Sequence, residues 1–388
     1  MSRWSALGDL WSTLREIDIG AIQNEAEQPL SIVAVGHDAA LKAIDTLAHR
    51  GPNRYVQTGV APLTLLSLYD AARFPDRLSA ADALILAVDS RVGLTDREAT
   101  ALARIDRLPR PTLLILLFGT RLAPGSAPLP ASAAARAVTI PDINHADATQ
   151  RFAEGLLEQL PATHHLAAAR RLPGVRAVYA RRLIDTTSMT NATYALASSL
   201  PEQIPILSMP FAVADILVLT KNQAIMVYRL ALAYGAPLDF RQRIAEVMPV
   251  VGGAFVWREI ARTLAGLAPV WGIVPKVGIA YAGTYATGVV AWRWYEKGEL
   301  VPREELRRIA REAQALGQEK AREVIGQAQM TREATGHAVK EAASRLNSLG
   351  DRIRQQSHHA LRRMRNRLPT RLRPAPGADS PEPLPEEY

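Results

Sequence analysis

The sequence of 388 residues contains no cysteine, and aromatic side chains make up only 6% of it. The absence of cysteine excludes disulfide bonds, thiolate-ligated zinc and iron–sulfur clusters, and it suits a reducing compartment. Hydrophobic residues account for 48%, so the chain can bury a large core built from aliphatic side chains. The N-terminal segment is amphipathic and does not follow the pattern of a signal peptide, so we expect a cytoplasmic protein.

Catalytic and metal-binding patterns are also missing from the sequence. The eight histidines show no spacing with carboxylates that is typical of metal ligands. No nucleophile elbow or catalytic dyad is recognisable. The sequence therefore predicts no catalytic residue and no metal site.

The net charge of +8 is concentrated near the C-terminus. Residues 351–374 hold eight arginines and one aspartate, which gives +7, and the four acids that follow give −4. We expect these arginines to form a basic surface for an anionic membrane, although a merely solvated tail remains equally open. Nucleic acid is a less favoured partner because no stacking aromatics accompany the charge. The arginines are Arg352, Arg354, Arg362, Arg363, Arg365, Arg367, Arg371 and Arg373.

Short apolar runs alternate with helical segments over residues 29–160, and this alternation predicts an α/β domain. A helical region follows over 161–300. Residues 301–373 predict a long charged helix that is capable of coiled-coil pairing and hence of homo-oligomer formation. The proline-rich end, 374–388, is predicted to be disordered, and residues 1–28 to form an amphipathic leading helix. The predicted strands are Ile32–Val35, Leu63–Leu68, Leu84–Val88, Thr112–Leu117 and Ala137–Ile140, and a closing helix is predicted over Asp147–Leu160.

The first strand leads into a segment with the layout of a phosphate-binding loop. Gly36 and Lys42 fit the Gly-x-x-x-x-Gly-Lys-Ser/Thr pattern, whose backbone N–H groups and lysine hold phosphates. Leu41 replaces the second glycine, and Ala43 replaces the hydroxyl that would bind Mg²⁺. The favoured interpretation is an ordinary amphipathic helix capped by Asp38, with Lys42 solvated, and the alternative is a residual anion or nucleotide site.

The stretch 264–292 contains a single charge, Lys276, and is long enough to span a bilayer. Pro269, Gly272 and Pro275 interrupt it, leaving an uninterrupted piece from Lys276 to Arg293. Small residues four apart allow helices to approach closely, both in membranes and in a tightly packed soluble hairpin, and both interpretations stay open. The candidate membrane or helix-packing residues are Gly278, Ala282, Ala286, Gly288, Trp292 and Trp294.

Several motifs together resemble an Era-like GTPase domain followed by the helical module called domain of unknown function 697, as in YcjF-type proteins. Ala81–Asp89 with Gly93-Leu94-Thr95 looks like a GTPase strand and the loop after it. Asp70 lies where the Asp-x-x-Gly element would fall, with Arg73 in place of its glycine, and Phe118-Gly119-Thr120-Arg121 stands where the guanine-reading motif would be. In the second half, Leu219–Ala224 and the run to Gly235 resemble the core of the helical module.

This resemblance implies a GTPase-like doubly wound α/β sheet without intact nucleotide motifs, then an all-α domain and a long C-terminal helix. It leads us to expect a non-enzymatic scaffold without a cofactor, located in the cytoplasm at the inner face of the cell membrane, with an anionic membrane surface or a membrane protein as partner. One alternative is a GTP-binding switch that uses GTP or GDP with Mg²⁺ through Gly36, Lys42 and Asp70. A second alternative is a nucleic-acid-associated protein that acts through the arginine-rich helix.

Overall fold

The computed structural model describes residues 18–55, 61–199, 208–243, 273–328 and 330. The described residues up to Val324 belong to one compact unit, and those from Ile325 onward belong to a second. The strands are β1 (Ile32–Gly36), β2 (Leu63–Ser67), β3 (Ala83–Asp89), β4 (Thr112–Leu117) and β5 (Val138–Ile140). The helices are α1 (Ile19–Glu27), α2 (Asp38–His49), α3 (Pro75–Ala80), α4 (Asp96–Asp106), α5 (Ala131–Ala134), α6 (Ala148–Gln159), α7 (His165–Arg171), α8 (Arg176–Ser199), α9 (Ser208–Ala233), α10 (Ile273–Lys297) and α11 (303–328).

The five strands form one parallel sheet in the order β2-β1-β3-β4-β5. Strands β1, β3 and β4 are continuous apolar runs that are buried on both faces, as central strands of a parallel sheet must be. In register, Val35 of β1 lies between Leu66 of β2 and Leu86 of β3. The fold is therefore α/β, with helical regions after the sheet, as the sequence predicts at this level.

Successive residues of each strand contribute side chains to two separate hydrophobic cores, because these side chains point to opposite faces of the sheet. Val33 and Leu84 pack on the face that α3 and α4 cover. Ile32 and Ile85 pack on the other face, whose core continues without a break into α8, α9 and α10, where it includes Met226. The sheet and the helical region thus share one hydrophobic core.

The five predicted strands and the predicted closing helix agree with the structure to within one or two residues. The predicted long helix over 301–373 is described as α11 as far as residue 328, and the rest of it after residue 330 lies outside the described residues, as does the proline-rich end 374–388. Three local details differ. His37, not Asp38, is the N-cap residue of α2, since Asp38 already has helical geometry. Helix α10 begins at Ile273, so Pro275 lies in its first turn, where proline is tolerated, and does not interrupt the helix. Within the predicted leading helix 1–28, the described part is α1, which Asp18 caps through a hydrogen bond from the N–H of Ala21; residues 1–17 lie outside the described residues.

A buried arginine connects the start of the helical region to the loop after α2 by hydrogen bonds. Arg176 is 1% exposed, and its guanidinium donates to the carbonyl oxygens of Ala169, Arg170 and Pro52. Burial lowers the pKa of Arg176 to about 10, so the side chain keeps its charge near neutral pH. The three backbone carbonyls supply the compensation that a carboxylate would otherwise give.

The helical bundle packs through small residues and a buried polar network. Asn191 of α8 donates to Thr284 Oγ1 of α10 at 2.8 Å and accepts from Asn222 of α9 at 2.7 Å. Both Asn191 and Thr284 are fully buried, so these hydrogen bonds fix how the three helices cross. None of the described helices carries a stretch that is both long and apolar enough to cross a bilayer.

Candidate functional site

The strand order reverses between β1 and β3, because the chain goes from β1 to the edge strand β2 and then returns to β3. Ligands of open parallel sheets bind outside the carboxyl ends of the strands at such a reversal. The residues at this position are His37 after β1 and Asp89 with Arg91 at the end of β3. We refer to this location as the switch-point site.

The connection from β1 to α2 consists of one residue, His37. Gly36 ends the strand, and a Cβ at Gly36 would overlap the carbonyl oxygen of Ala87 on β3. The same carbonyl accepts a hydrogen bond from the N–H of His37 at 3.1 Å. Glycine at position 36 is therefore required for the close approach of β1 to β3.

The imidazole of His37 joins two elements of the switch-point site. Its Nδ1 accepts from the backbone N–H of Asp89 at 3.0 Å, and its Nε2 lies 3.6 Å from Glu98 Oε1 on α4. Only 13% of the His37 side chain and 11% of the Glu98 side chain are exposed. Within the described residues, Nε2 has no hydrogen-bond partner.

Glu98 is held by a capping box at the start of α4. Thr95 donates to the Glu98 carboxylate through its backbone N–H and its hydroxyl, both at 2.9 Å, and Tyr69 donates at 3.3 Å. Burial alone would raise the pKa of Glu98, but the hydrogen bonds from Thr95, with smaller contributions from His37 and Tyr69, lower it overall. Glu98 is therefore a buried carboxylate that stays ionised.

A second buried carboxylate, Asp89, forms an ion pair with an arginine. Arg91 donates from Nη2 to Asp89 Oδ2 at 2.7 Å and from Nε to Oδ1 at 3.0 Å, a bidentate pair that lowers the pKa of Asp89. The guanidinium also lies over the ring of Phe118, 4.1 Å from its centroid. Phe118 has a φ of 62°, an unusual conformation for a residue with a side chain.

The residues predicted for a residual nucleotide site lie in three different surroundings. Gly36 faces Ala87, as described above. Lys42 is exposed on the second turn of α2, after the buried Leu41. Asp70 follows β2, where its carboxylate accepts from the Ser67 hydroxyl at 2.8 Å and pairs with Arg73 at 3.2 Å.

The sequence did not identify His37, Glu98 or Arg91 as a group. The Thr95-x-x-Glu98 spacing is a recognisable capping-box signal, but it predicts a helix start and not a neighbour of His37. His37 and Glu98 are far apart in the chain, and only the pairing of β1 with β3 brings them together.

The candidate membrane or helix-packing residues of α10 lie inside the bundle. A Cβ at Gly278 would come within 3.2 Å of the Gly317 carbonyl oxygen on α11, so the two backbones touch. Gly288 faces Ile184 and Met226. Ala282 and Ala286 are fully buried, Trp292 donates to the Tyr234 hydroxyl at 2.6 Å, and Trp294 is partly buried against the core.

The arginines of the predicted basic surface, Arg352–Arg373, lie outside the described residues. Among the residues that the structure does describe, no group of three or more His, Cys, Asp or Glu side chains is arranged to hold a metal ion.

Comparison of the chain with protein-family models, with curated proteins and with solved structures gave no match. The function is therefore inferred from the chain's own residues.

Proposed function

We propose that the protein is a non-enzymatic scaffold. In this proposal a GTPase-like α/β domain that does not cycle nucleotide is joined to a helical module that associates with an anionic membrane. The observation that carries the proposal is the single residue, His37, between β1 and α2.

A phosphate-binding loop needs several consecutive backbone N–H groups that curve around the phosphates. One connecting residue leaves no length of chain for such a loop. Leu41 and Ala43, which occupy the second glycine and hydroxyl positions of the pattern, are buried residues of α2. The turn therefore supports a structural role and not phosphate binding.

The negative charges around the switch-point site would also repel the phosphates of a nucleotide. Asp89 and Glu98 place two buried carboxylates beside the place where phosphates would lie, and both have lowered pKa values. The cation there, Arg91, is already engaged by both oxygens of Asp89. A triphosphate would have to break this pair and approach two negative charges.

Calorimetric titration of the full chain with GTP and GDP in the presence of Mg²⁺ tests this half of the proposal. We expect no binding tighter than ~10 μM. Tighter binding that is lost in Lys42→Ala would contradict the proposal and would establish a GTP-dependent switch instead.

The membrane half of the proposal rests on the sequence of the C-terminal segment. Each basic residue near an anionic bilayer contributes about 1 kcal/mol of binding free energy. The eight arginines of 351–374 thus supply more attraction than the four following acids oppose. This mode of binding needs no helix that crosses the bilayer.

Flotation of the full chain with vesicles of phosphatidylserine and phosphatidylcholine tests the membrane half. We expect co-flotation that neutral vesicles do not support and that a variant with Arg362, Arg363, Arg365 and Arg367 changed to alanine loses almost entirely. The matched control changes four exposed arginines on or just after α4, namely Arg97, Arg104, Arg107 and Arg110, and should float like the natural chain. Equal flotation of both variants would refute the assignment, and selective loss of DNA binding by the first would favour nucleic acid as the partner.

A further inference from the structure

A groove of about 890 Å³ opens between α8, α10 and α11. Its floor is one face of α10, where Tyr281, Tyr285, Val289 and Trp292 follow at steps of four, four and three residues. This spacing keeps the four side chains on one face of a helix. Sites for small organic ligands usually have volumes of roughly 300–1,000 Å³ and a lining that is mostly apolar and aromatic. The groove therefore has the size of such a site.

Apolar side chains cover the walls of the groove as well as its floor. Ile184 and Met189 of α8 and Leu316 of α11 contribute to these walls. On the floor the rings of Tyr281 and Tyr285 stack, with their centroids 6.2 Å apart and their planes inclined by 13°. A ligand in the groove would therefore contact both aliphatic side chains and aromatic rings.

Two carboxylates lie within this apolar and aromatic lining. Glu312 of α11 accepts a hydrogen bond from the Tyr285 hydroxyl at 2.7 Å. Asp185 of α8 has no hydrogen bond and no direct ion pair within the described part of the chain. Partial burial raises the pKa of Asp185, although the charges of Arg181 and Lys320 act in the opposite direction. The carboxylate of Asp185 is therefore available to a ligand.

The two cations that line the groove are less available than Asp185. Lys320 Nζ already forms an ion pair with Glu323 Oε2 at 2.7 Å. Arg181 is exposed one turn before Asp185 on α8, and an exposed charge is screened by water and salt. Neither cation is therefore well placed to hold an anionic ligand against the floor of the groove.

The charges that act most strongly on the floor are negative. Burial, and then nearby carboxylates of which Asp185 is the strongest, raise the pKa of Tyr281 to about 12. Burial and then Glu312 and Asp185 raise the pKa of Tyr285 as well. A carboxylate that disfavours a phenolate favours a cation at the same place. The groove thus combines an apolar lining with a preference for positive charge.

We propose that this groove binds a small organic cation in which an alkylammonium head group is attached to an apolar chain. The ammonium lies beside Asp185 and the ring of Tyr285, since a carboxylate and an aromatic face both attract a cation. The apolar chain lies along Val289 and Leu316, where it is removed from water. This inference goes beyond the proposed scaffold function and does not depend on it.

Calorimetric titration of the full chain with octyltrimethylammonium, octyl sulfate and octanol tests the preference for a cation. We expect octyltrimethylammonium to bind about tenfold more tightly than either of the other two probes, because only the cation gains from the carboxylates and the aromatic rings. Absence of binding of the cation, or binding of octyl sulfate that is equally tight or tighter, would overturn the proposal.

A matched pair of substitutions tests the role of Asp185. Asp185→Asn keeps the size of the side chain and removes its charge, so it should weaken the binding of octyltrimethylammonium roughly fivefold. Asp76→Asn removes a charge at an exposed position of α3 and should leave the affinity unchanged. Circular dichroism verifies that both variants are folded. Equal affinities of the two folded variants for the cation would refute the assignment.

The methyl group of Met189 reports where the cation binds. The methyl signals of the seven methionines can be followed by NMR, and Met189→Leu identifies the signal of Met189. We expect octyltrimethylammonium to shift this signal and to leave that of Met330, which is 64% exposed, unchanged. Shifts of other methionine signals without a shift of Met189 would place the cation on another surface and would overturn the proposal.

Discussion

The backbone N–H of Asp89 donates a hydrogen bond to Nδ1 of His37 at 3.0 Å. A backbone N–H can only donate, so Nδ1 must be the nitrogen without a proton, and the neutral ring carries its proton on Nε2. Nε2 lies 3.6 Å from Glu98 Oε1, which is beyond hydrogen-bond distance. The hydrogen bond to Nδ1 links the residue after β1 to the end of β3, and the start of α4 lies beside the same imidazole.

The first prediction concerns His37. His37→Ala should lower the free energy of unfolding by about 1–2 kcal/mol, because the N–H of Asp89 loses its acceptor in a half-buried place. His37→Asn should lower it less, since the asparagine Oδ1 can take the position of Nδ1. Urea denaturation of the three proteins measures the difference, and equal losses in both variants would contradict this account of the hydrogen bond.

The second prediction concerns the pH dependence of stability that Glu98 introduces. Its pKa in the folded protein lies below the ordinary carboxyl value of 4.5. As pH falls, the unfolded chain takes up the proton first, so the stabilisation by Glu98 is present above pH 4.5 and is lost as the pH falls through the lower folded-state pKa.

Glu98→Gln should therefore be less stable than the natural chain at pH 7. As the pH falls below about 5, the free energy of unfolding of Glu98→Gln should decrease less than that of the natural chain. Denaturation at a series of pH values measures this. Glu299→Gln, at an exposed position, removes the same charge without the Thr95 contacts and should retain the slope of the natural chain. If the free energy of unfolding of Glu98→Gln decreased with falling pH as steeply as that of the natural chain, the prediction would be contradicted.

The third prediction tests whether Gly36 is needed for the packing of β1 against β3. Gly36→Ala should destabilise the fold by about 3 kcal/mol or prevent folding, because the new methyl group meets the Ala87 carbonyl in the middle of the sheet. At Gly326 of α11, which is partly exposed, an added methyl group would have no atom of the described residues within 4 Å, so Gly326→Ala should stabilise by about 0.5–1 kcal/mol. A stably folded Gly36→Ala protein would show that this glycine is not needed for strand packing.

The fourth prediction concerns Arg176. Arg176→Met should lower the unfolding free energy by about 3 kcal/mol, because three backbone carbonyl oxygens, one of them in a buried hydrogen bond, lose their donor together. Arg182, six residues along the same helix, makes an exposed pair with Glu158 at 3.8 Å. Arg182→Met should therefore change stability by less than about 0.5 kcal/mol, and comparable losses at both positions would be inconsistent with the structure.

The fifth prediction concerns the polar network of the bundle. Asn191→Ala should cost about 2–3 kcal/mol, because Asn222 loses its acceptor and Thr284 loses a donor in a buried place. In a double-mutant cycle, Asn191→Ala and Thr284→Val should show a coupling of about 1 kcal/mol. Strict additivity of the two losses would mean that the 2.8 Å hydrogen bond between these side chains makes no net contribution.

The sequence by itself determined where the strands and the closing helix lie; for the strands the reason is that burial on both faces demands uninterrupted apolar runs. Thr112–Leu117 was predicted with the bounds that the structure has, and the strand containing Val35 was placed correctly apart from its final glycine. These features depend on local composition, which a strand carries whatever its neighbours are.

Only the tertiary structure decided the order of the strands and, with it, which side chains meet. The register of β1 against β3 brings His37 to Asp89 and Glu98 and gives Gly36 a packing role, where the sequence left a phosphate contact open as an alternative. In the same way, the crossing of α9 with α10 buries Trp292 against Tyr234, although the sequence left both membrane contact and helix packing open for this residue. Such contacts join residues far apart in the chain, and their free energies depend on the packing of all the elements between them, which no local pattern encodes.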